Sequence, residues 1–340
     1  MSRESMSRER VSRASAELGT AALDTLAQSI LLEDAAGRVV AEWGARGIPA
    51  VALKGLALLR TVYRRDPGSR PMADADLLVP PERREEAEAA LVALGFARVP
   101  GQISAFVPRS GTPPLRIDLE DEIWYLGPRG TRELFARARL ASPASPARRG
   151  AGAAGEIAIA IPTLEDALLH GAIHAVVMHG QLRPVWLEDL RRLALLGPDW
   201  ALVAGRARAA GLTAPLGIAL ERAARSGAPV PAEILAALRP RGTDRLRAAL
   251  LARVLARPET AGTGHLLRFL FRRGARAKLR ALARQLFPGR EFLARRYGAR
   301  SRGEALLRGA LRPAQSAARG CELLARHCLG RGRAGAGGRP

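Results

Sequence analysis

Two aspartates lie two positions apart in one short apolar segment. Asp74 and Asp76 belong to residues 73–79, which read as a β-strand ended by two prolines. Aspartate is disfavoured within strands, and side chains at i and i+2 share one strand face, with Cα atoms roughly 7 Å apart. Two carboxylates this close repel each other unless a cation lies between them. A hard divalent ion such as Mg²⁺ accepts such ligands and retains positions for phosphate oxygens.

A third acid is predicted on another strand. Residues 115–123 alternate so that Ile117 and Leu119 face a core, which leaves Asp118 and Glu120 on the polar face. If this strand pairs beside the first, Asp118 completes a three-carboxylate cluster of the kind that holds two metal ions roughly 3.5–4 Å apart. The alternative is that these acids are solvated and paired with nearby arginines. The position of the third acid and the turn described next favour the metal site.

A lysine and a glycine mark the end of an earlier strand. Residues 49–53 read as a strand that runs into Lys54, Gly55 and a helix. Such a junction offers backbone N–H groups and the positive end of a helix dipole to an anion. Glycine removes a side chain so that phosphate can approach the backbone, and the lysine can reach its oxygens. The chain contains only one other lysine, Lys278, because arginine supplies nearly all of its basic residues.

The elements that must position these residues form two groups. The pattern predicts one or two helices over 12–47, strands at 49–53, 73–79, near 104–108 and over 115–123, and helices over 55–63 and 81–95. A short strand over 157–161 precedes a helical series that reaches residue 329. The predicted boundaries are an N-terminal helical segment at 1–47, an α/β domain at 48–140, a linker at 141–155, a helical domain at 156–329 and a disordered tail at 330–340.

The order of these motifs resembles the order found in the nucleotidyltransferase superfamily of the DNA polymerase beta type. It is more closely similar to an uncharacterised bacterial nucleotidyltransferase family, whose members carry Leu-Lys-Gly, a spaced arginine and Asp-x-Asp-Leu-Leu-Val. The matching residues here are Leu53-Lys54-Gly55, Arg70 and Asp74-Ala75-Asp76-Leu77-Leu78-Val79. The resemblance covers roughly residues 45–195. It implies an α+β fold, in which a small mixed-sheet nucleotidyltransferase domain is flanked by an N-terminal helix and followed by an all-helical C-terminal domain.

The resemblance also implies a reaction and a set of roles. A nucleoside monophosphate would be transferred from an NTP to an acceptor, with Mg²⁺ as cofactor and pyrophosphate as product. Asp74 and Asp76 would hold the metals, and Asp118 would bind the catalytic metal and help deprotonate the acceptor. Lys54 and Arg70 would contact the triphosphate, and Gly55 would allow its close approach. The acceptor could be a small molecule, a protein or an RNA end.

Two further family features lie on the helical side. The family carries a helix with two histidines, followed by Trp-x-x-Asp, and this chain offers His174, His179 and residues 186–189. The family has a histidine at the position of Glu120, and its two helical histidines are one residue closer together. His170 and His174 are four residues apart, but no glutamate or cysteine nearby completes the ligands of a zinc site. The favoured interpretation is that these histidines are hydrogen-bonded residues of the core or of an interface.

The positive charge is concentrated near the C-terminus. The formal net charge is +22, and residues 241–340 hold 24 basic and 5 acidic side chains. This region could contact RNA or another polyanion through its basic residues. Residues 266–286 could also lie on an anionic membrane surface as a basic amphipathic helix. The third interpretation is that these arginines bind nothing and are ordinary solvated surface residues of an arginine-rich chain.

Composition and length exclude several classes of protein. Apolar residues make up 48% of 340 residues, so a core can be buried. There is no apolar run of about 18 residues and no signal-peptide pattern, and the two cysteines are poorly spaced for a disulfide, so we expect a soluble cytoplasmic protein without stable membrane insertion. The leading hypothesis is an Mg²⁺-dependent nucleotidyltransferase. The alternatives are a non-catalytic nucleotide- or RNA-binding module that keeps the fold, and a modifier that transfers AMP to a partner protein.

Overall fold

The structure is a computed structural model. It describes residues 3–110, 115–143, 157–242, 244–256, 263–272 and 274–287, together with a few isolated positions beyond them, while the side chains of residues 3–19 are outside the description. The predicted tail at 330–340 and most of the predicted linker at 141–155 lie outside the described residues.

Seven short strands form one mixed sheet. They are β1 Val51–Ala52, β2 Ala75–Leu78, β3 Phe96–Arg98, β4 Ala105–Pro108, β5 Ile117–Glu120, β6 Arg139–Ala141 and β7 Ile159–Ile161. Their spatial order is β3-β4-β5-β2-β1-β7-β6. The pairs β2–β5 and β1–β7 are parallel, and the other neighbours are antiparallel. β2 therefore lies in the middle of the sheet, between the strand of the Lys-Gly turn and the strand of the third acid.

Twelve α-helices surround the sheet or follow it within the described residues. They are α1 Arg3–Ala45, α2 Lys54–Leu59, α3 Arg84–Ala93, α4 Gly127–Arg137, α5 Leu164–Ile173, α6 Pro184–Leu195, α7 Trp200–Ala210, α8 Thr213–Arg225, α9 Ala232–Ala237, α10 Asp244–Leu255, α11 Thr263–Phe271 and α12 Ala275–Leu286. A π-helical turn, His174–Met178, continues α5. None of the described helices combines the length and the apolar character that crossing a membrane requires.

One face of the sheet packs on α1 and α3. Leu77 of β2 and Ile117 of β5 are fully buried there, together with Trp43 of α1 and Leu91 of α3. The Trp43 indole also donates a hydrogen bond to the Ala87 carbonyl at 3.1 Å, which joins the two helices. Because the side chains of β2 and β5 alternate between faces, filling this core leaves the polar residues of both strands on the opposite face.

The helical part has its own core. Residues of α5, α6, α8, α10 and α11 pack together with the C-terminal half of α2, and Leu168, Leu190 and Leu220 are almost completely buried there. Glycine and proline residues, alone or close together, interrupt the helical series. Accordingly α6 and α7 are separated at 197–198, α7 and α8 at 211, and α8 and α9 at 227–229.

The predicted mixed α+β class is confirmed, with three differences in detail. The N-terminal segment is one continuous helix that ends at Ala45. The strand β7 pairs with β1 and β6, so the sheet takes a strand from residues beyond the predicted linker. The pattern also missed β3 and β6, because strands of three residues carry too few alternating positions to stand out. It missed α4 because this helix begins with Gly-Pro-Arg-Gly, which is typical of a turn.

Arg60, just after α2, ties several of these elements together. Its side chain is buried and pairs with Glu33 of α1 at 3.0 Å. Its Nη1 donates to the carbonyls of Ala141 and Ile157, at 2.7 and 3.0 Å. One guanidinium therefore joins α1, the end of β6 and the approach to β7. A planar group with several donors can make such contacts simultaneously, whereas a lysine cannot.

Replacing Arg60 by methionine should destabilise the fold strongly. The variant keeps an apolar stem but leaves a buried carboxylate and two carbonyls without their donor, a change that typically costs about 3–5 kcal/mol. Urea denaturation of the wild type and of Arg60→Met measures the difference in the free energy of unfolding. Arg64→Met is the matched control, since Arg64 is exposed. Equal losses in the two variants would contradict the role given to Arg60.

Candidate active site

Two of the predicted acids lie opposite each other on neighbouring strands. β2 and β5 are parallel, with Asp76 in register with Asp118. Adjacent strands are about 4.8 Å apart and paired residues point to the same side, so both carboxylates lie on the face away from the α1–α3 core. Asp74 precedes the first residue of β2 and is partly exposed, whereas Asp76 is only 4% exposed. The pairing of the two acid-bearing strands is therefore confirmed.

Lys54 is the cation at the centre of this face. Its Nζ donates to Asp76 Oδ1 at 2.6 Å and to Glu120 Oε1 at 2.9 Å. Lys54 also has a φ of 49°, and no other non-glycine residue in the described part of the chain has a positive φ. That conformation costs a side-chain-bearing residue about 1–3 kcal/mol. This conformation turns the chain sharply between β1 and α2, and the ammonium group then reaches the acids of β2 and β5.

Asp118 has its own partner. Arg116, two residues earlier on the same face of β5, donates from Nε and Nη2 to the two carboxylate oxygens at 2.7 and 2.9 Å. Among the described residues, no three acids, histidines or cysteines are arranged so that they could hold a metal ion directly. Carboxylate oxygens are nevertheless the right donors for Mg²⁺. Asp118 could join Asp76 as a ligand only after Arg116 has turned away.

Burial and like charges perturb the acids of this face. Burial raises the pKa of Asp76 to about 7, with further contributions from Glu120 and Asp74, while Lys54 opposes the rise. Burial acts in the same direction on Glu120, but Lys54, with contributions from His170 and Arg84, outweighs it, so the pKa of Glu120 is lowered. Lys54 is itself desolvated, yet its two carboxylate partners hold its pKa above the ordinary value. The charged forms of Asp76 and Glu120 are therefore stabilised by the positive charge of Lys54.

Gly55 has no side chain, and the side chains of Met72 and Arg70 occupy the space that a Cβ would need. A Cβ at this position would be 2.5 Å from Met72 Sδ and 2.6 Å from Arg70 Nη1. Those distances are shorter than van der Waals contact, so alanine here would displace both side chains. The sequence analysis predicts that this glycine admits phosphate. The structure adds a different reason for it, the close approach of the segment that leads into β2.

Arg70 makes a buried ion pair with the helical part. Its Nε and Nη2 donate to Asp189 Oδ1 and Oδ2 at 3.0 and 2.8 Å, and the Tyr63 hydroxyl donates to the same Oδ1 at 2.8 Å. Arg70 and Asp189 are each less than 9% exposed. The aspartate of the Trp-x-x-Asp segment therefore fastens α6 to the α/β part. The role predicted for Arg70, contact with a triphosphate, stays a prediction, and only Nη1 lies outside this pair.

The histidines form a row of rings beside Lys54. His174 Nε2 lies 2.9 Å from His179 Nε2, and the His179 ring lies 4.9 Å from that of Trp186. The backbone N–H of His179 donates to the His174 carbonyl, five residues back, at 3.3 Å. A π-helical turn bonds residues five apart and places them side by side. This turn therefore brings together two histidines whose spacing would separate them on a regular α-helix.

His170 begins this row and is 7% exposed. Tyr125 Oη lies 3.3 Å from its Nδ1, and its Nε2 has no hydrogen-bond partner among the described residues. Burial lowers the pKa of His170 to about 4, and Lys54 adds to this while Glu120 and Asp166 oppose it. Burial and Lys54 also lower the pKa of His174 and of His179. The row is therefore neutral near pH 7 and lies within electrostatic range of the lysine.

The sequence of this chain matches the model of a known protein family. Residues 3–226 fit the family described as uncharacterised nucleotidyltransferases. The chain belongs to this family. It is accordingly an enzyme of the nucleotidyltransferase class, as predicted, and the match extends further in both directions than the motifs that suggested it. No protein of curated function matches the chain.

Two solved structures are similar to this chain over about half of its length. One is the solution structure of the antibiotic-resistance factor ANT(2'')-Ia, with 20% identity over 55% of this chain and 94% of that chain, and a TM-score of 0.35. The other is the crystal structure of ANT(2'')-Ia in complex with adenylyl-2''-tobramycin, with 17% identity over 56% of this chain and 97% of that chain, and a TM-score of 0.33.

Three contacts of the site were not predicted. Arg116 shares a strand face with Asp118, so the alternation of β5 could have indicated that pair. Glu120 was recognised as lying on the polar face, but its bond to Lys54 joins two separate strands and has no local signal. Tyr63 lies after α2 and reaches Asp189, which is 126 residues away. Contacts over such separations depend on how α6 packs, which spacing along the chain does not reveal.

Asp189→Asn should destabilise the protein by about 3–5 kcal/mol, because it leaves the buried Arg70 guanidinium without its counter-charge. Glu188→Gln is the matched control on the next residue. Glu188 pairs with Arg191 and Arg192 in a partly exposed position, where an ion pair contributes less than about 1 kcal/mol. Urea denaturation of both variants gives the comparison. A loss in Asp189→Asn no larger than that in Glu188→Gln would contradict the buried link.

The free energy of unfolding should fall as the pH decreases from about 6.5 to about 4, in part because of His170. Its pKa is lowered in the folded state, so the unfolded chain binds a proton first and acid favours unfolding in this window. His170→Gln removes this contribution, on the order of 3 kcal/mol across the window, and should flatten the pH dependence. Denaturation at several pH values tests this. An unchanged slope would show that folding does not lower the pKa of His170.

Proposed function

We propose that this protein transfers a nucleoside monophosphate from an NTP to an acceptor and releases pyrophosphate. The observation that carries the proposal is the register of β2 and β5, which sets Asp76 opposite Asp118 beside Lys54. Family membership supports the general reaction. In the proposed step, an acceptor oxygen forms a bond to the α-phosphorus, the bond from that phosphorus to the pyrophosphate breaks, and the acceptor proton passes to the Asp118 carboxylate.

Asp74, Asp76 and Asp118 would hold Mg²⁺, which when bound supplies positive charge to the triphosphate and the attacking oxygen. Lys54 would bind the triphosphate, because its ammonium already lies on the face where the acids gather. The histidine row, which is neutral near pH 7, lies on the helical side within electrostatic range of Lys54. Asp118 would act as base once Arg116 has released it.

A second function is favoured by a separate surface. Arg247, Arg272 and Lys278 line a shallow cavity of about 360 Å³ between α10, α11 and α12, and none of the acids described above lines it. A concave basic surface of this kind suits a polyanion such as RNA. It agrees with the expectation that residues 241–340 contact a polyanion. This surface could act in a non-catalytic binding module or could hold an anionic acceptor of the enzyme.

The double variant Asp74→Ala/Asp76→Ala tests the enzymatic proposal. Incubation with each labelled NTP and Mg²⁺ should release pyrophosphate from the wild type, and the double variant should be at least about a hundredfold slower because it lacks the charges that organise the reacting groups. Glu82→Ala/Glu85→Ala is the matched control, since both of those acids are exposed. Omission of Mg²⁺ should have the same effect as loss of the two aspartates.

Equal pyrophosphate release by the wild type and the Asp74→Ala/Asp76→Ala variant would end the enzymatic proposal. If, in addition, both proteins bound RNA with the same steep dependence on salt, the binding module would be favoured instead. Mass spectrometry of co-purifying proteins for an added nucleotide separates a protein acceptor from a small molecule or an RNA.

A further inference from the structure

The basic amphipathic helix predicted over residues 266–286 consists of two helices in the structure. Gly274 has a φ of 81°, a conformation that residues with a side chain rarely adopt, and it separates α11 from α12. Leu267 and Phe271 of α11 are 0% and 3% exposed within the helical core. α11 is therefore a core helix, and of the two only α12 remains as a candidate for a surface-binding helix.

The apolar side chains of α12 point away from the protein. Leu279 is 68% exposed and Leu282 is 41% exposed, and Phe287, directly after the helix, is 70% exposed. Leucines three residues apart share one face of a helix, and a surface helix ordinarily turns that face to the core. Here the inner side carries Lys278 instead, whose Nζ lies 5.7 Å from the ring centre of Phe269 in α11. The orientation of α12 is therefore the reverse of the usual one.

Two arginines accompany these leucines on the outer side of α12. Arg276 and Arg280 are exposed and four residues apart, so they lie on one side of the helix, next to Leu279. Neither forms an ion pair with another residue in the described part of the chain. α12 contains no acidic residue, and residues 241–340 as a whole hold 24 basic and 5 acidic side chains. This outer face is therefore both apolar and positively charged.

We infer that the outer face of α12 binds the surface of an anionic lipid bilayer, with the helix axis in the plane of the membrane. Leu279 and Leu282 would enter the boundary between the headgroups and the acyl chains, and Arg276 and Arg280 would contact the phosphates of anionic lipids. The inference goes beyond the proposed transfer reaction and does not depend on it.

The combination of leucines and arginines on the outer face favours a lipid surface over two other partners. RNA would pair with the arginines but would leave the leucines in water. A second copy of the same face would cover the leucines but would bring the arginines of both copies together, and like charges that meet in an interface are costly. An anionic bilayer offers an apolar interior beneath a negative surface, so it is complementary to both kinds of side chain.

Sedimentation of the whole chain with lipid vesicles tests the inference. The wild type should bind vesicles of phosphatidylcholine with about 30% phosphatidylglycerol at least about tenfold more strongly than vesicles of phosphatidylcholine alone. Leu279→Ser/Leu282→Ser should weaken binding to the anionic vesicles at least about tenfold, because two apolar side chains are lost from the interface. Leu195→Ser/Leu196→Ser at the end of α6, where the leucines are 58% and 55% exposed, is the matched control and should bind like the wild type.

The charge of the outer face has its own test. Arg276→Gln/Arg280→Gln should weaken binding to the anionic vesicles and leave the binding to phosphatidylcholine vesicles unchanged, because neutral vesicles offer no net charge to the arginines. Loss of RNA binding in this variant, with vesicle binding unchanged, would assign the arginines to RNA and overturn the inference.

Three further outcomes would overturn the inference. The first is a wild type that does not bind the anionic vesicles. The second is wild-type vesicle binding by Leu279→Ser/Leu282→Ser, since the leucines would then take no part. The third is self-association in analytical ultracentrifugation that the same leucine variant abolishes, without vesicle binding by the wild type, which would make this face an interface between two copies of the chain.

Discussion

Carboxylates taken out of water require cations, and this constraint governs the polar face of the sheet. Lys54 satisfies two of them simultaneously, Asp76 and Glu120, from a backbone conformation that a lysine rarely adopts. The hydrogen bonds of the ammonium to both strands help to hold this residue in its strained conformation. Arg116 meets the same requirement for Asp118. The result is a compact set of alternating charges on this face of the sheet.

The same constraint joins the two parts of the molecule. Arg70 and Asp189 are both buried, and their pairing is completed by the Tyr63 hydroxyl. Buried ion pairs add little net stability relative to apolar packing, but breaking one is costly, so they define a single arrangement of the elements that carry them. The pair fixes α6, and with it the π-helical turn and its histidines, over the polar face. A change in that link would therefore alter the site without touching its acids.

Local patterns were sufficient for much of this structure. The alternation of residues 115–123 placed Asp118 and Glu120 on one face. The three-acid cluster was predicted on the condition that this strand pairs with that of Asp76, and the structure contains this pairing. Glycine and proline marked the ends of the later helices. Partners of charged side chains were harder to predict, because arginine is so common in this chain that no single arginine stands out.

The sequence by itself determined which residues share a face and which family the motifs resemble, since both follow from spacing along a single segment. Only the tertiary structure decided which cation meets which acid and why Gly55 has no room for a side chain. These contacts join residues that are far apart in the chain. Their physical basis is the packing of whole elements against one another, and the spacing of residues within one element carries no information about it.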